Sequence, residues 1–128
     1  MSGSERVDIL VVDDDFDMRD TLIDVLNDEG YRVAVAADGL EAMAYLEANP
    51  APRVILLDWM MPRCDARQFR ERQRLDSRLR AIPVVLLTAN ARLEVNDLFE
   101  GLLLKPVDLG ALLATVASYC RPARDEAP

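Results

Sequence analysis

Four short apolar runs in this sequence each end in a polar residue that can take part in chemistry. Ile9-Leu10-Val11-Val12 runs into Asp13-Asp14, and Val54-Ile55-Leu56-Leu57 into Asp58. Pro83-Val84-Val85-Leu86-Leu87 ends at Thr88, and Leu102-Leu103-Leu104 at Lys105. Brought to one place, three carboxylates, a hydroxyl and an ammonium would suit phosphoryl transfer. A carboxylate can attack phosphorus to give an acyl phosphate, and the transfer then depends mainly on positioning and on positive charge around the phosphoryl oxygens. The carboxylates would also repel one another. Two unit charges about 4 Å apart cost roughly 4 kcal/mol at an effective dielectric near 20. Such a cluster shifts a pKa, spreads into water or recruits a cation. An all-oxygen set with open positions suits Mg²⁺, which keeps several waters and pairs with phosphate oxygens.

Lysine usage points the same way. The chain has fourteen arginines and a single lysine, Lys105. A compact ammonium on a flexible stem reaches a phosphoryl oxygen where a planar guanidinium would not fit.

The elements that must position these groups follow from hydrophobic patterning. The apolar runs suit strands buried on both faces. Between them, Met18, Leu22, Val25 and Leu26 recur at helical spacing, with Asp17 as the expected N-cap and Gly30 as the stop. Residues 32–36 read as a second strand, 40–48 as a helix, and 67–79 as a helix rich in arginine. Residues 91–99 are expected to form a short helix, and Asp108 to cap a last helix reaching about Tyr119. The five strands alternate with helices over short connections, which predicts a parallel sheet covered on both faces. In such sheets ligands sit at the carboxyl ends of the strands, where all five polar residues would meet.

Composition limits the alternatives. At 128 residues, 51% hydrophobic and 30% charged, the chain has room for one domain with a core. The formal net charge of −8 argues against direct binding of nucleic acid or anionic lipid. No histidine is present, so there is no Ser-His-Asp or Cys-His pair and no imidazole ligand. Cys64 and Cys120 form neither a disulfide framework nor a zinc motif. Without a run long enough to span a bilayer, and without an apolar segment in residues 1–6, a cytoplasmic protein is expected.

Taken together and in order, the segments Ile9–Asp15, Val54–Pro62, Ile82–Ala89 and Leu104-Lys105-Pro106 resemble the receiver domain of bacterial two-component response regulators. The resemblance covers about residues 6–120. It implies a flavodoxin-like α/β fold: a five-stranded parallel sheet in the order 2-1-3-4-5 with helices on both faces. It further implies that Asp58 accepts a phosphoryl group from the phosphohistidine of a histidine kinase or phosphotransfer protein. Mg²⁺ would be held by Asp14 directly, by Asp13 through water, by Asp58, and by the backbone carbonyl of Met60. Thr88 would hydrogen-bond the phosphoryl group, and Lys105 would pair with Asp58 and then with the phosphoryl group. The Lys105–Pro106 bond would be cis. On this basis residues 1–120 form a receiver domain and 121–128 a tail, with no effector domain within the sequence. The chain would act as a phosphorylation-dependent switch on a downstream protein or on a second copy of itself, with autodephosphorylation as its only further chemistry. The resemblance also allows the chain to be the receiver portion of a longer hybrid kinase, with residues 121–128 as linker.

The sequence also departs from the family pattern. Leu102 stands where an aromatic residue usually precedes the lysine by three positions. The segment from Thr88 to Lys105 is short, so the fourth family helix is expected to be short or atypical. Ala66 replaces a usual glycine. The Leu102 and fourth-helix departures support an alternative reading as a degenerate receiver that binds its partner constitutively. An aspartyl phosphatase would need a second acid where Met60 stands, and a flavodoxin-type cofactor site would suffer repulsion from Asp13-Asp14-Asp15. Asp15 reads as a solvated loop acid, Trp59 as either a gate beside Asp58 or a packing residue, and the seven arginines from Arg63 to Arg80 as a solvated face or a docking surface.

Overall fold

The fold is described by a computed structural model, over residues 6–59, 65–90 and 99–120. The elements run β1 (Ile9–Val12), α1 (Phe16–Asp28), β2 (Val33–Ala36), α2 (Gly39–Ala48), β3 (Val54–Asp58), α3 (Ala66–Arg74), β4 (Val84–Thr88), β5 (Gly101–Leu104) and α4 (Leu109–Ala117). All five strands pair in parallel in the order β2-β1-β3-β4-β5. The expected helix over 91–99 lies outside the described residues apart from Phe99, as do Met60, Cys64 and the 121–128 tail.

Alternate residues of each central strand face opposite sides, and both sides are apolar. Leu10, Val12, Ile55, Leu57, Val84 and Leu86 pack with Leu46 of α2 and Phe69 of α3. Ile9, Val11, Leu56, Val85 and Leu87 pack with Leu22 and Leu26 of α1 and with Leu112 and Val116 of α4. This two-sided burial explains why β1, β3 and β4 read as unbroken apolar runs rather than alternating ones.

α2 and α3 each start one residue earlier than expected, and the cap of α1 differs. Asp15, not Asp17, caps α1; its carboxylate accepts from the backbone N–H groups of Asp17 and Met18 at 3.0 and 3.2 Å. Asp15 and Asp17, two residues apart, offer the same chemistry; Asp15 is the one with the extended backbone of a cap, and the helix begins at Phe16. Gly30 ends the helix at φ 97°, a conformation that costs a side chain roughly 1 kcal/mol or more. Asp65 caps α3 through a reciprocal capping box with Gln68. Ala66 is the first residue of that helix, so the missing glycine costs no backbone strain there. Asp65→Ala is expected to destabilise the protein by about 1 kcal/mol, read as a lower urea midpoint with an unchanged slope.

The arginine-rich segment is not uniformly solvated. The helix ends at Arg74, and turns follow to residue 82. Arg70 is only 4% exposed: its guanidinium donates to Gln73 Oε1 at 2.9 Å and to Glu100 Oε2 at 2.6 Å. The buried Gln73 amide in turn donates to the carbonyls of Leu79 and Ile82, satisfying backbone that the broken helix leaves open. Arg78 donates to the carbonyls of Leu46 and Asn49 at the end of α2, where a cation complements the helix dipole. Arg72, Arg74 and Arg80 are exposed as expected.

Cys120 is buried beside α4. Burial, reinforced by the Asp8 charge and partly offset by Arg53, pushes its thiol up to about 11 from 9.0. A thiol held protonated by folding contributes stability that is present below pH 9 and lost as pH rises towards 11. In a Cys64→Ser background, alkylation of native Cys120 at pH 8 is expected to run about a hundredfold slower than that of the unfolded chain. Equal rates would contradict the burial.

Candidate functional site

The register of the sheet sets the site. Val12 pairs with Leu57, Asp58 with Leu87, and Thr88 with Leu104. Asp13 therefore leaves β1 level with Asp58 at the end of β3, and Lys105 leaves β5 one residue beyond the Thr88–Leu104 pair that ends β4. The Lys105 N–H donates to the Thr88 carbonyl at 2.8 Å, which ties these two residues together through backbone. The Lys105–Pro106 bond is cis, as the resemblance implies.

Carboxylate oxygens of Asp13, Asp14 and Asp58 lie within 4.8 Å of one another. Asp13 and Asp58 are buried, whereas Asp14 is exposed. The Lys105 ammonium bridges the buried pair, 3.2 Å from Asp13 Oδ2 and 3.3 Å from Asp58 Oδ1. Lys105 thus pairs with Asp58, as expected, and equally with Asp13, which was not. Asp13 Oδ1 also accepts from the Asp15 N–H at 2.9 Å.

Burial alone would lower the pKa of Lys105, but the charges of Asp13 and Asp58 outweigh it, and the net direction is upward. The ammonium is therefore favoured by the fold. The stability it contributes is present below its ordinary value of 10.5 and is lost as pH rises through the elevated folded value.

Thr88 is buried at the end of β4, and its Oγ1 accepts from the Asn90 N–H at 3.0 Å. That bond uses a lone pair and leaves the hydroxyl proton for another acceptor. Asp14, Asp15, Asp58, Trp59, Thr88, Ala89 and Lys105 line an open cleft of about 380 Å³. The donor set is entirely oxygen, negatively charged and open to solvent, which fits Mg²⁺ better than a softer metal. Met60 lies outside the described residues, so its carbonyl is not placed.

The structure brings Asp13, Asp14, Asp58, Thr88 and Lys105 together. Sequence reasoning gave Arg67 no role of its own, yet its guanidinium lies 5.8 Å over the Trp59 ring at the cleft wall. A spacing of eight residues carries no signal for such a contact. Leu102, at the position of the usual aromatic, is 36% exposed on the edge strand β5.

Comparison with known proteins agrees with this geometry. The family model "Response regulator receiver domain" matches residues 9–117. An uncharacterized 14.6 kDa protein of Leptolyngbya boryana is 39% identical over 94% of this chain and 95% of its own length. Response regulator Rre1 of Synechocystis is 35% identical over 88% of the chain; the match covers 51% of Rre1, so the chain spans about half the length of that relative. Among solved structures, the chemotaxis protein CheY4 of Vibrio cholerae superposes with a TM-score of 0.81 at 30% identity, covering 90% of this chain and 99% of that one. The receiver domain of the sensor histidine kinase PA1611 of Pseudomonas aeruginosa, which carries a magnesium ion in its active-site cleft, matches with a TM-score of 0.80 at 28% identity, covering 90% and 98%. With the five polar residues gathered at the carboxyl edge of a 2-1-3-4-5 sheet, and with this match over most of its length, the chain belongs to the response regulator receiver domain family.

Proposed function

We propose that this receiver domain is a cytoplasmic phosphorylation switch in which Asp58 is the phosphoacceptor. An Asp58 carboxylate oxygen bonds to the phosphorus of a phosphohistidine on a histidine kinase or phosphotransfer protein. The P–N bond breaks, and its electron pair stays on the imidazole. Lys105 and Thr88 contact the phosphoryl oxygens, the first through its ammonium and the second through its hydroxyl proton. Asp13, Asp14 and Asp58, with the Met60 carbonyl, would hold Mg²⁺, which when bound offsets negative charge on the oxygens being transferred. Water later returns the group to solution as phosphate. The receiver domain spans 1–120 in this reading, with 121–128 as a tail.

The observation that carries the proposal is the Lys105 ammonium bridging Asp13 and Asp58 beside a third carboxylate. A phosphoacceptor site with a divalent cation supplies a reason for gathering acids that repel one another. Phosphorylation of Asp58 would replace about one negative charge by roughly two, and Lys105 would then have to divide its contacts differently. That rearrangement is the means by which a downstream protein, or a second copy of the chain, would sense the modification.

The test is incubation of the protein with Mg²⁺ and a small phosphodonor such as acetyl phosphate. One acid-labile phosphoryl group per chain is expected, and none when Mg²⁺ is chelated. Labelling that ignores chelation would contradict the proposed metal site. The second reading is a constitutive binding module, favoured by Leu102 where the family usually carries an aromatic side chain. Partner affinity unchanged by phosphorylation would select it.

A further inference from the structure

Trp59 is the chain's only tryptophan. Its backbone N–H donates to the Leu87 carbonyl at 2.9 Å, which holds the residue one step beyond β3. The side chain is half-buried. It packs against the core on the α2–α3 side of the sheet and lines the cleft together with Asp58, Thr88 and Lys105. Arg67, in the first turn of α3, sets its guanidinium 5.8 Å from the ring centroid. The capping box of Asp65 and Gln68 anchors the backbone on either side of Arg67. The end of β3 and the start of α3, which already share one core cluster, are thus also linked by a ring–cation contact at the wall of the cleft.

Arg67 is exposed, whereas the ring beneath it is half-buried. The contact has an electrostatic reason, because a guanidinium is attracted to the face of an indole. What it changes is the freedom of a bulky side chain next to Asp58. An acyl phosphate is lost when a water oxygen bonds to phosphorus. The P–Oδ bond to Asp58 then breaks, its electron pair returns to the carboxylate, and the water's proton leaves with the phosphate or to solvent. The water must enter through the cleft that Trp59 lines.

We propose that Arg67 is a positioning residue that holds the Trp59 ring at the cleft wall, and that this pair sets the lifetime of phosphorylated Asp58 by limiting the approach of water. The inference rests on the phosphoacceptor reading above. It assigns to an arginine on α3 a kinetic role with no contact to the reacting atoms.

The experiment follows the decay of the phosphoryl group after removal of the phosphodonor, in Mg²⁺, for the full chain and for Arg67→Ala, Arg67→Lys, Trp59→Leu and the double variant Arg67→Ala/Trp59→Leu. Arg67→Ala is expected to shorten the lifetime about two- to fivefold, the range set by an exposed cation–ring contact. Arg67→Lys should restore part of it. Trp59→Leu should shorten the lifetime at least as much, and Arg67→Ala should add nothing in the Trp59→Leu background, as required if both act through one contact. In parallel, acrylamide quenching of the single tryptophan should increase in Arg67→Ala and recover in Arg67→Lys. Equal lifetimes in all variants, additive effects of the two substitutions, or unchanged quenching would each overturn the inference while leaving the phosphoacceptor assignment standing. Failure of the unaltered chain to accept any phosphoryl group would overturn that assignment, and this inference with it.

Discussion

Asp58→Asn is expected to keep the fold and to reduce acid-labile labelling by small phosphodonors to background. The amide is close in shape to the carboxylate, so the end of β3 and its pairing with Leu87 are retained. It has no anionic oxygen with which to attack phosphorus. Lys105 loses one of its two partners but keeps Asp13 at 3.2 Å, so the ammonium remains in place. Labelling in Mg²⁺ by acid-labile phosphate assay, with circular dichroism as the check on folding, gives a clear answer. If a folded Asp58→Asn protein still takes up one phosphoryl group, another acid is the acceptor. Asp14 would be the next to test, since it is exposed in the same cleft.

Removing the ammonium has two expected effects of opposite sign. Lys105 Nζ sits against oxygens of Asp13 and Asp58 that would also face the metal. An ammonium there repels a divalent cation. The Coulomb figure of roughly 4 kcal/mol per unit charge pair at about 4 Å is an upper bound. The Lys105 side chain is 21% exposed, so solvent screens part of the repulsion. Lys105→Ala should therefore bind Mg²⁺ more tightly, by about tenfold, in a titration followed by Trp59 emission. Its reaction with a phosphodonor should be about a hundredfold slower, because no ammonium meets the transferring oxygens. Lys105→Arg keeps the charge but not the compact head group, and is expected to fold normally while failing to transmit the signal. Metal affinity no higher in Lys105→Ala than in the unaltered chain would show that ammonium and cation do not compete for the same carboxylates. Downstream output unchanged in Lys105→Arg would contradict the special role of the single lysine.

The central strands could be read directly because both faces of each are covered. Val54–Leu57 and Val84–Leu87 lie between α2 and α3 on one side and α1 and α4 on the other, and two-sided burial leaves an unbroken apolar run. The polar residue that ends each run marks where the strand leaves the core. Parallel order then brings these ends to one edge, so the membership of the site was legible before any coordinate. Helix limits were less so. The helix expected over 67–79 stops at Arg74, because the buried Gln73 side chain satisfies the carbonyls of Leu79 and Ile82 and makes a turn there stable. Propensity does not register a side chain that bonds backbone six and nine residues further on.

Residue types and their order along the chain were enough to specify a parallel sheet, the strand ends that carry chemistry, and the identity of the five polar groups, because burial and hydrogen-bonding demands act locally and leave periodic traces. The contacts between those groups came from three-dimensional packing alone. Lys105 bridges Asp13 as well as Asp58 because β1 and β3 are neighbours in register. Asp15 caps α1 rather than lying free. Arg70 is buried against Glu100, and Arg67 of α3 meets Trp59 at the end of β3. Each depends on where separate elements settle against one another, and distances set by packing leave no periodic trace along the chain.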